Sequence, residues 1–313
     1  MKISVYIILL LFIVPLQTTF SSSLDSLSPE FWMKASFESV DKIISEDKPD
    51  TASLDEALAN SAISSNNVKI LGTLIQHGAD VNSKDEDGMT PLMDAAMASS
   101  NTEIITFLIS KGADVNKKTT LGQTALMFST MNLVQPDIPN LLIDRKADVN
   151  AQDNSGKSVL MYAVCNAEDT SLLKTLISDG AKINARDNEG MTVLDYATRY
   201  NANPEVISFL IFKGADVNAK DNSGRTALMY AAAAGPETVQ PLLSSGADIN
   251  AKDNFGKTAL IYASMASKPD VVTELISRNA DQSITDNNGF KASDYSNAIK
   301  KGNLSFSNDV FSN

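Results

Sequence analysis

Histidine and cysteine, the side chains that most often carry catalysis or bind transition metals, occur once each in this chain, as His77 and Cys165. A Ser-His-Asp triad or a histidine metal site would therefore have to use His77. His77 precedes Gly78 where a helix is expected to end, and a basic side chain suits that position. Cys165 has no second cysteine to pair with and no candidate base beside it in the sequence, so we interpret it as a packing residue.

Carboxylates are abundant, with 38 Asp and Glu residues, but most of them recur at equivalent turns along the chain. A catalytic pair would be unique, whereas repetition favours a structural role. Segments 85–88 (DEDG) and 286–289 (DNNG) resemble part of a calcium loop, but the downstream glutamate of an EF-hand is missing. No phosphate loop, G-x-S-x-G, H-E-x-x-H or paired C-x-x-C motif is present. We therefore expect no catalytic residue, cofactor or metal, and a protein that is not an enzyme.

The charge balance argues against a nucleic-acid partner. The formal net charge is −12, and the 26 Lys and Arg residues are scattered instead of clustered as a phosphate-binding surface requires. Apolar residues make up 43% of the chain, which is enough to bury a continuous core.

The first residues have the pattern of an export signal. Lys2 precedes a 14-residue apolar run over 3–16, and small polar residues follow it. The run is shorter than the ~20 residues that span a bilayer. We predict a signal peptide over 1–21, cleaved near Ser21, and hence a periplasmic or secreted protein. The single cysteine favours a bacterial envelope, and the alternative is a membrane tether formed by an uncleaved N-terminal segment.

Two short blocks alternate along the chain at a nearly constant period. The first, Gly-Ala-Asp-Val-Asn or a variant, begins at residues 78, 112, 146, 180, 214, 246 and, weakly, 279, in steps of 34, 34, 34, 34, 32 and 33 residues. The second has Thr or Ser followed by a small residue and Leu, and it begins at Thr90, Thr124, Ser158, Thr192, Thr226 and Thr258. Such a period predicts a solenoid of stacked repeats.

Each repeat predicts two short helices and a turn. The Thr or Ser of the second block is a helix N-cap, and small residues such as Ala231 allow neighbouring helices to approach closely. A second helix carries apolar residues at helical spacing, as at Ile104, Ile105 and Leu108, and ends at a glycine. Prolines 136, 139 and 241 in or near second helices predict local irregularity in repeats 112–145 and 214–245.

The two blocks resemble the T-P-L-H and G-A-D-V-N signature of the ankyrin repeat, strongly over 78–278 and weakly over 29–77 and 279–302. Met, Asp or Ile replaces the histidine of that signature. The resemblance implies an all-α solenoid of helix-turn-helix units with projecting β-hairpin loops. We divide the chain into the signal peptide, a linker and abbreviated capping helix pair (22–50), an ankyrin repeat domain (51–302) and a polar tail (303–313). Within the domain, 51–77 is a degenerate repeat, 78–278 are strong repeats and 279–302 is a C-terminal cap.

One position of the first helix is aromatic in six successive repeats. We call these residues the aromatic ladder and interpret them as packing between repeats with hydroxyl groups at the edge; they are Phe128, Tyr162, Tyr196, Tyr230, Tyr262 and Tyr295.

Ankyrin-like proteins usually meet their partners with the hairpin tips and the exposed end of the first helix. The resemblance carries this role to nine apolar residues, which we call the apolar stripe: Met89, Met97, Leu121, Met131, Met191, Tyr200, Phe255, Met265 and Phe290. Exposed apolar patches mark interaction sites, and methionine suits adaptable ones, although some of these residues could instead pack between hairpins.

The resemblance implies an exported module that binds a protein partner through its concave face and hairpin tips. We expect a monomer with no stable membrane span after signal removal. A specific inhibitor or immunity-type regulator of one exported enzyme is the alternative, and a secreted effector is a more remote one, because no segment outside the array is long enough for a second domain.

Overall fold

The computed structural model describes residues 24, 28–65, 67–132, 136–201, 203–300 and 311. The predicted signal peptide and all of the polar tail except Phe311 lie outside the described residues. The described residues contain α-helices, one π-helical turn and no strand, which confirms the all-α prediction. They form two compact units, one up to Asp80 and one from Val81 onward.

The first unit contains four helices. Helices α1 (Pro29–Lys34) and α2 (Phe37–Asp47) lie within segment 22–50, and α3 (Thr51–Ser64) and α4 (Val68–Gln76) lie within segment 51–77. Side-chain oxygens of Ser28, Ser36 and Asp50 accept backbone N–H groups and so cap the first three helices. Trp32 is fully buried and anchors this unit's core.

The second unit continues the helix pairs. Its helices are α5 (Pro91–Ala98), α6 (Thr102–Ser110), α7 (Ala125–Ser129), α8 (Ile138–Asp144), α9 (Val159–Asn166), α10 (Ser171–Ser178), α11 (Val193–Tyr196), α12 (Pro204–Phe212), α13 (Ala227–Ala234), α14 (Pro236–Ser244), α15 (Ala259–Met265), α16 (Pro269–Ser277) and α17 (Ala292–Lys300). The small residues of the first helices lie in the core. Ala197, Ala231 and Ala263, for example, have no exposed surface. The second helices bury their apolar face, for example Val206, Ile207 and Leu210.

Asparagine of the Gly-Ala-Asp-Val-Asn block joins each repeat to the next. The side chain of Asn184 donates to the carbonyl of Gly214 (3.0 Å) and accepts from the backbone N–H of Asp216 (2.9 Å). Asn82, Asn116 and Asn218 make the same pair of bonds to their neighbours. One amide thus satisfies two backbone groups of the segment that follows the neighbouring second helix.

A second connection runs between the turn tips of neighbouring repeats. The backbone N–H of Asn222 donates to the carbonyl of Glu189 (2.9 Å), and its side chain donates to the carbonyl of Asn188 (2.9 Å). Gly190 has φ +79° at this contact, and a Cβ there would lie 2.9 Å from the nitrogen of Asn222. Glycine is therefore required both by its φ and by the close approach of the two turns.

The hairpin loops project as turns with little strand character. The described residues contain only two isolated antiparallel bridges, Gln152 with Ser158 and Thr285 with Lys291. The loops are held by the side-chain bonds described here instead of by a β-ladder.

The irregularities differ in part from those expected. Helix α14 runs without interruption through Pro241, so this proline does not break it. Helix α7 is short, and residues 133–135 before Pro136 are not described. The unpredicted irregularity lies in repeat 180–213, where α11 has one turn and continues as a π-helical turn over Ala197–Asn201. Among the described residues, no helix is long and apolar enough to cross a membrane.

Candidate functional site

The turn of each central repeat is built around one aspartate. The Oδ1 atom of Asp187 accepts the backbone N–H groups of Glu189 and Met191, both at 2.9 Å. The same two bonds occur at equivalent positions in the other turns that begin with aspartate: Asp85, Asp153, Asp221, Asp253 and Asp286. This arrangement fixes the two residues that flank the turn glycine, and those positions present the tip side chains.

The second oxygen of that aspartate binds the aromatic ladder. The hydroxyl of Tyr196 donates to Oδ2 of Asp187 at 2.8 Å, and both side chains are buried. Tyr162, Tyr230, Tyr262 and Tyr295 each bond in the same way to the aspartate nine residues earlier. Burial, together with the nearby carboxylate, raises the pKa of Tyr196 far above its ordinary value. The ladder hydroxyls therefore tie each first helix to its own turn, a bond that the sequence interpretation of edge hydroxyls did not identify.

Two repeats lack this pair: one changes both of its members, and the other keeps the aspartate and changes only the ladder residue. In repeat 112–145 the ladder residue is Phe128, which has no hydroxyl, and Thr119 replaces the aspartate. Thr119 keeps one of the turn bonds, because its hydroxyl oxygen accepts the N–H of Gln123 at 3.1 Å. In repeat 78–111 the ladder position holds Asp94, nine residues after Asp85. Burial and the Asp85 carboxylate raise the pKa of Asp94 to about 7.

The apolar stripe divides into three groups by exposure. Leu121, Tyr200, Phe255 and Phe290 are exposed, with 63%, 51%, 42% and 51% of their surface accessible. Met89, Met97 and Met131 are half-buried. Met191 and Met265 are buried, with 2% and 4% accessible. The expectation of a surface role is therefore wrong for Met191 and Met265, which pack into the core of the second unit.

The exposed members do not form one continuous apolar surface. Leu121 and Phe255 occupy the same turn position in repeats that are four apart, and Ser155, Glu189 and Ser223 hold that position between them. Phe255 and Phe290 belong to neighbouring turns, and the carbonyl of Phe255 accepts the N–H of Asn287 at 2.9 Å. Phe255 and Phe290 are thus the two exposed members of the stripe that lie in neighbouring turns.

Two arginines belong to the same face, and the sequence reasoning missed them. Arg225 follows its turn glycine, as Met191 and Phe290 do, and Arg199 occupies the first-helix position of Met97 and Met265. The guanidinium carbon of Arg199 lies 5.2 Å from the ring of Tyr200 and 5.5 Å from that of Tyr230. Repeat position was the signal that could have identified both arginines, because it does not depend on whether the side chain is apolar.

The residues first considered for chemistry have structural partners. Nε2 of His77 lies 2.8 Å from Oδ1 of Asp41 in the first unit. Cys165 donates to the carbonyl of Met161 (3.2 Å), and burial raises the pKa of its thiol to about 11, which disfavours the reactive thiolate. Within the described ranges, no group of three or more His, Cys, Asp or Glu residues is placed to hold a metal ion.

Asp195 is the one fully buried carboxyl group in a first helix. Its Oδ2 atom accepts the backbone N–H (2.7 Å) and the hydroxyl (2.8 Å) of Thr192, which closes a capping box. Its Oδ1 atom has no hydrogen-bond partner among the described residues. Burial raises the pKa of Asp195 to about 7, although the bonds from Thr192 act in the opposite direction.

These helix pairs, joined by turns that bond to their neighbours at a fixed period, define a solenoid repeat protein. A family model described as ankyrin repeats (3 copies) matches the chain in overlapping windows: 33–119, 58–153, 100–187, 126–221, 160–253, 196–288 and 228–304. The chain therefore belongs to the ankyrin repeat family, as the sequence motifs predicted. No curated protein matches it significantly.

We predict that the tyrosine hydroxyl and the turn aspartate act as one unit. Tyr196→Phe leaves a buried oxygen of Asp187 without its donor and should lower the free energy of unfolding by about 1–3 kcal/mol. Adding Asp187→Thr recreates the Thr119–Phe128 arrangement. Urea denaturation should therefore show that the double variant loses less free energy of unfolding than the sum of the losses of the two single variants.

A cross-repeat pair provides the matched control for this coupling. Asp187→Thr combined with Tyr162→Phe removes an acid and a hydroxyl that belong to different repeats, and these losses should add. Additive losses for Tyr196→Phe with Asp187→Thr as well would contradict the coupling.

We predict a pH-dependent effect for Asp195→Asn. The native carboxyl keeps its proton up to about pH 7, whereas the carboxyl of an unfolded aspartate loses its proton at about pH 3.9. The native state binds more protons within that window, so stability falls as pH rises, by up to about 1.4 kcal/mol per pH unit. Asparagine removes this penalty, so the stability of the variant relative to wild type should increase from pH 4 to pH 7 and then level off. Urea unfolding across that range measures it, with exposed Asp179→Asn as the control; a constant difference would refute the prediction.

Proposed function

We propose that this ankyrin-repeat protein is an exported module that binds a protein partner through the face formed by its turn tips and first helices. Ankyrin repeats are generally protein-interaction modules, and the family is typically non-catalytic. The fold alone does not identify a partner, so the argument depends on the surface residues of this chain.

The position of the exposed apolar side chains carries the proposal. Among the described residues of the second unit, large exposed hydrophobic side chains occur at six positions: Leu121, Tyr200, Phe212, Phe255, Ile276 and Phe290. Four of them lie at turn tips or at the end of a first helix, and only Phe212 and Ile276 lie on second helices. Aromatic residues, including phenylalanine, are enriched at protein interfaces relative to the rest of the surface.

The turns can present these side chains in a fixed geometry. The turn after Asp253 is held by two bonds to Oδ1 of that residue and by the bond from Asn287 of the next repeat. Nζ of Lys257 lies 5.9 Å from the ring of Phe255, which adds a cation beside the exposed aromatic side chain. A pre-ordered tip loses little conformational entropy when it binds.

The export part of the proposal depends on the first residues of the sequence. Lys2, the 14-residue apolar run over 3–16 and the polar residues after it are typical of a signal peptide. Expression of the full chain in a bacterial host, followed by fractionation and N-terminal sequencing, tests it. We expect a periplasmic or secreted form that begins near residue 22, whereas an intact N terminus in the cytosol would refute export.

We predict that Phe255→Asp weakens partner binding at least about tenfold, because it places a charge in an apolar contact. Phe212→Asp is the matched control, since Phe212 is also an exposed phenylalanine (82%) but lies at the end of second helix α12. The full-length wild-type protein and each variant would be immobilised and incubated with envelope and secreted fractions. The proteins that each one captures would be quantified by mass spectrometry. Equal capture by both variants would contradict a binding face at the turn tips.

A further inference from the structure

The side chain of Phe311 packs into the aromatic ladder. Its ring centroid lies 4.6 Å from that of Tyr230 and 4.7 Å from that of Tyr262, two neighbouring members of the ladder. The planes are tilted by 49° and 33°, within the range that aromatic pairs favour. Phe311 retains only 9% of its surface in this position.

Two arginines complete the pocket around this ring. The guanidinium carbon of Arg225 lies 5.3 Å from the ring of Phe311, and that of Arg199 lies 5.6 Å from it. An Arg225 N–H also donates to the carbonyl of Phe311, at 3.5 Å. Arginine over an aromatic face is attracted by the ring quadrupole, and the attraction is larger for a desolvated group such as Arg225, which is 8% exposed.

The repeats hold the pocket residues in place by bonds that do not involve Phe311. The hydroxyls of Tyr230 and Tyr262 donate to Asp221 (2.6 Å) and Asp253 (2.7 Å) of their own turns. The backbone N–H of Arg225 donates to Asp221 at 2.8 Å. Two successive repeats therefore hold Arg225, Tyr230 and Tyr262 in place independently of Phe311, and the repeat before them contributes Arg199.

Comparison along the ladder shows what Phe311 covers. Tyr230 and Tyr262, the two members that Phe311 contacts, are each 1% exposed, whereas Phe128, Tyr196 and Tyr295 keep 7%, 6% and 8% of their surface and Tyr162 is half-buried. Charge also matches: two of the five arginines of this acidic chain lie at the pocket, and residues 303–313 contain one aspartate and no lysine or arginine.

We infer that the pocket lined by Arg199, Arg225, Tyr230 and Tyr262 is a docking site for a phenylalanine side chain, and that the chain's own Phe311 is its occupant. The docking is intramolecular, so a weak contact suffices, because a tethered segment has a high effective concentration. The pocket lies on the proposed partner-binding face, and a partner using that part of the face would have to displace the segment. This last consequence depends on the proposed function, whereas the docking itself does not.

The first test uses the intact chain. The ring protons of Phe311, assigned by comparison with Phe311→Ala, should be shifted upfield in NMR spectra by the ring currents of the two tyrosines. The shift should be lost in Arg199→Ala combined with Tyr262→Ala, provided that circular dichroism shows the repeats still folded. Ring protons at random-coil positions in the wild-type protein would overturn the inference.

The second test supplies the segment from outside. A fluorescently labelled peptide of residues 303–313, blocked at both ends, should bind full-length Phe311→Ala at least tenfold more tightly than wild type, in which Phe311 fills the pocket. Fluorescence anisotropy up to millimolar protein measures this. A peptide with Phe311→Ala should not bind, and one with Phe306→Ala should bind as the native peptide does.

Three results of the peptide test would overturn the inference. The first is that the native peptide does not bind the folded Phe311→Ala protein. The second is that it binds the wild-type protein equally well. The third is that the Phe306→Ala peptide loses as much affinity as the Phe311→Ala peptide. Each can be distinguished from a failure of the partner-binding proposal, because the peptide test needs no partner and leaves Phe255 unchanged.

Discussion

The aspartate that opens all but one of the described turns is the residue on which the rest of the repeat surface depends. One oxygen of Asp187 accepts two backbone N–H groups of the turn, and the other accepts the hydroxyl of Tyr196 in the first helix. The turn shaped in this way then receives the N–H of Asn222 from the next repeat. A single carboxylate thus links turn, helix and neighbouring repeat, and its burial is tolerated because both oxygens are hydrogen-bonded.

Much of this fold could be predicted from the sequence because its contacts are local and repeated. The Thr caps, the Ala faces and the C-terminal glycines each depend on residues within a few positions, so a period of about 34 residues identifies them. The Tyr–Asp bond was also accessible, since nine residues separate its members in five repeats. It was missed because the ladder was considered one position at a time. Comparing the two positions together would have revealed the bond, because Thr119 replaces the aspartate in the same repeat in which Phe128 replaces the tyrosine.

Other features depend on neighbours that the repeat pattern does not specify. Met191 and Phe290 share a repeat position, yet Met191 is buried and Phe290 is exposed, because Met191 has a further repeat after it, whereas Phe290 lies in the last turn described. The π-helical turn at Ala197–Asn201 has no proline or glycine to indicate it. Phe311 contacts Arg225 across 86 residues, a separation at which no periodic signal exists.

The distinction between repeated and unique residues also bears on function. Positions that bond within the turns and to a neighbouring repeat keep the same residue type in most copies, as the aspartates and asparagines of the turns do, and Thr119, Thr120 and Ser283 are exceptions. Positions beside the turn glycine and at the end of the first helix change from Met to Arg, Gln, Lys or Phe between repeats. Since stacking does not fix them, these positions can differ without loss of the solenoid. Arg199, Arg225, Phe255 and Phe290 all belong to this variable set. We therefore expect any selectivity of the surface to come from this set, because the recurring residues are already bonded within and between repeats.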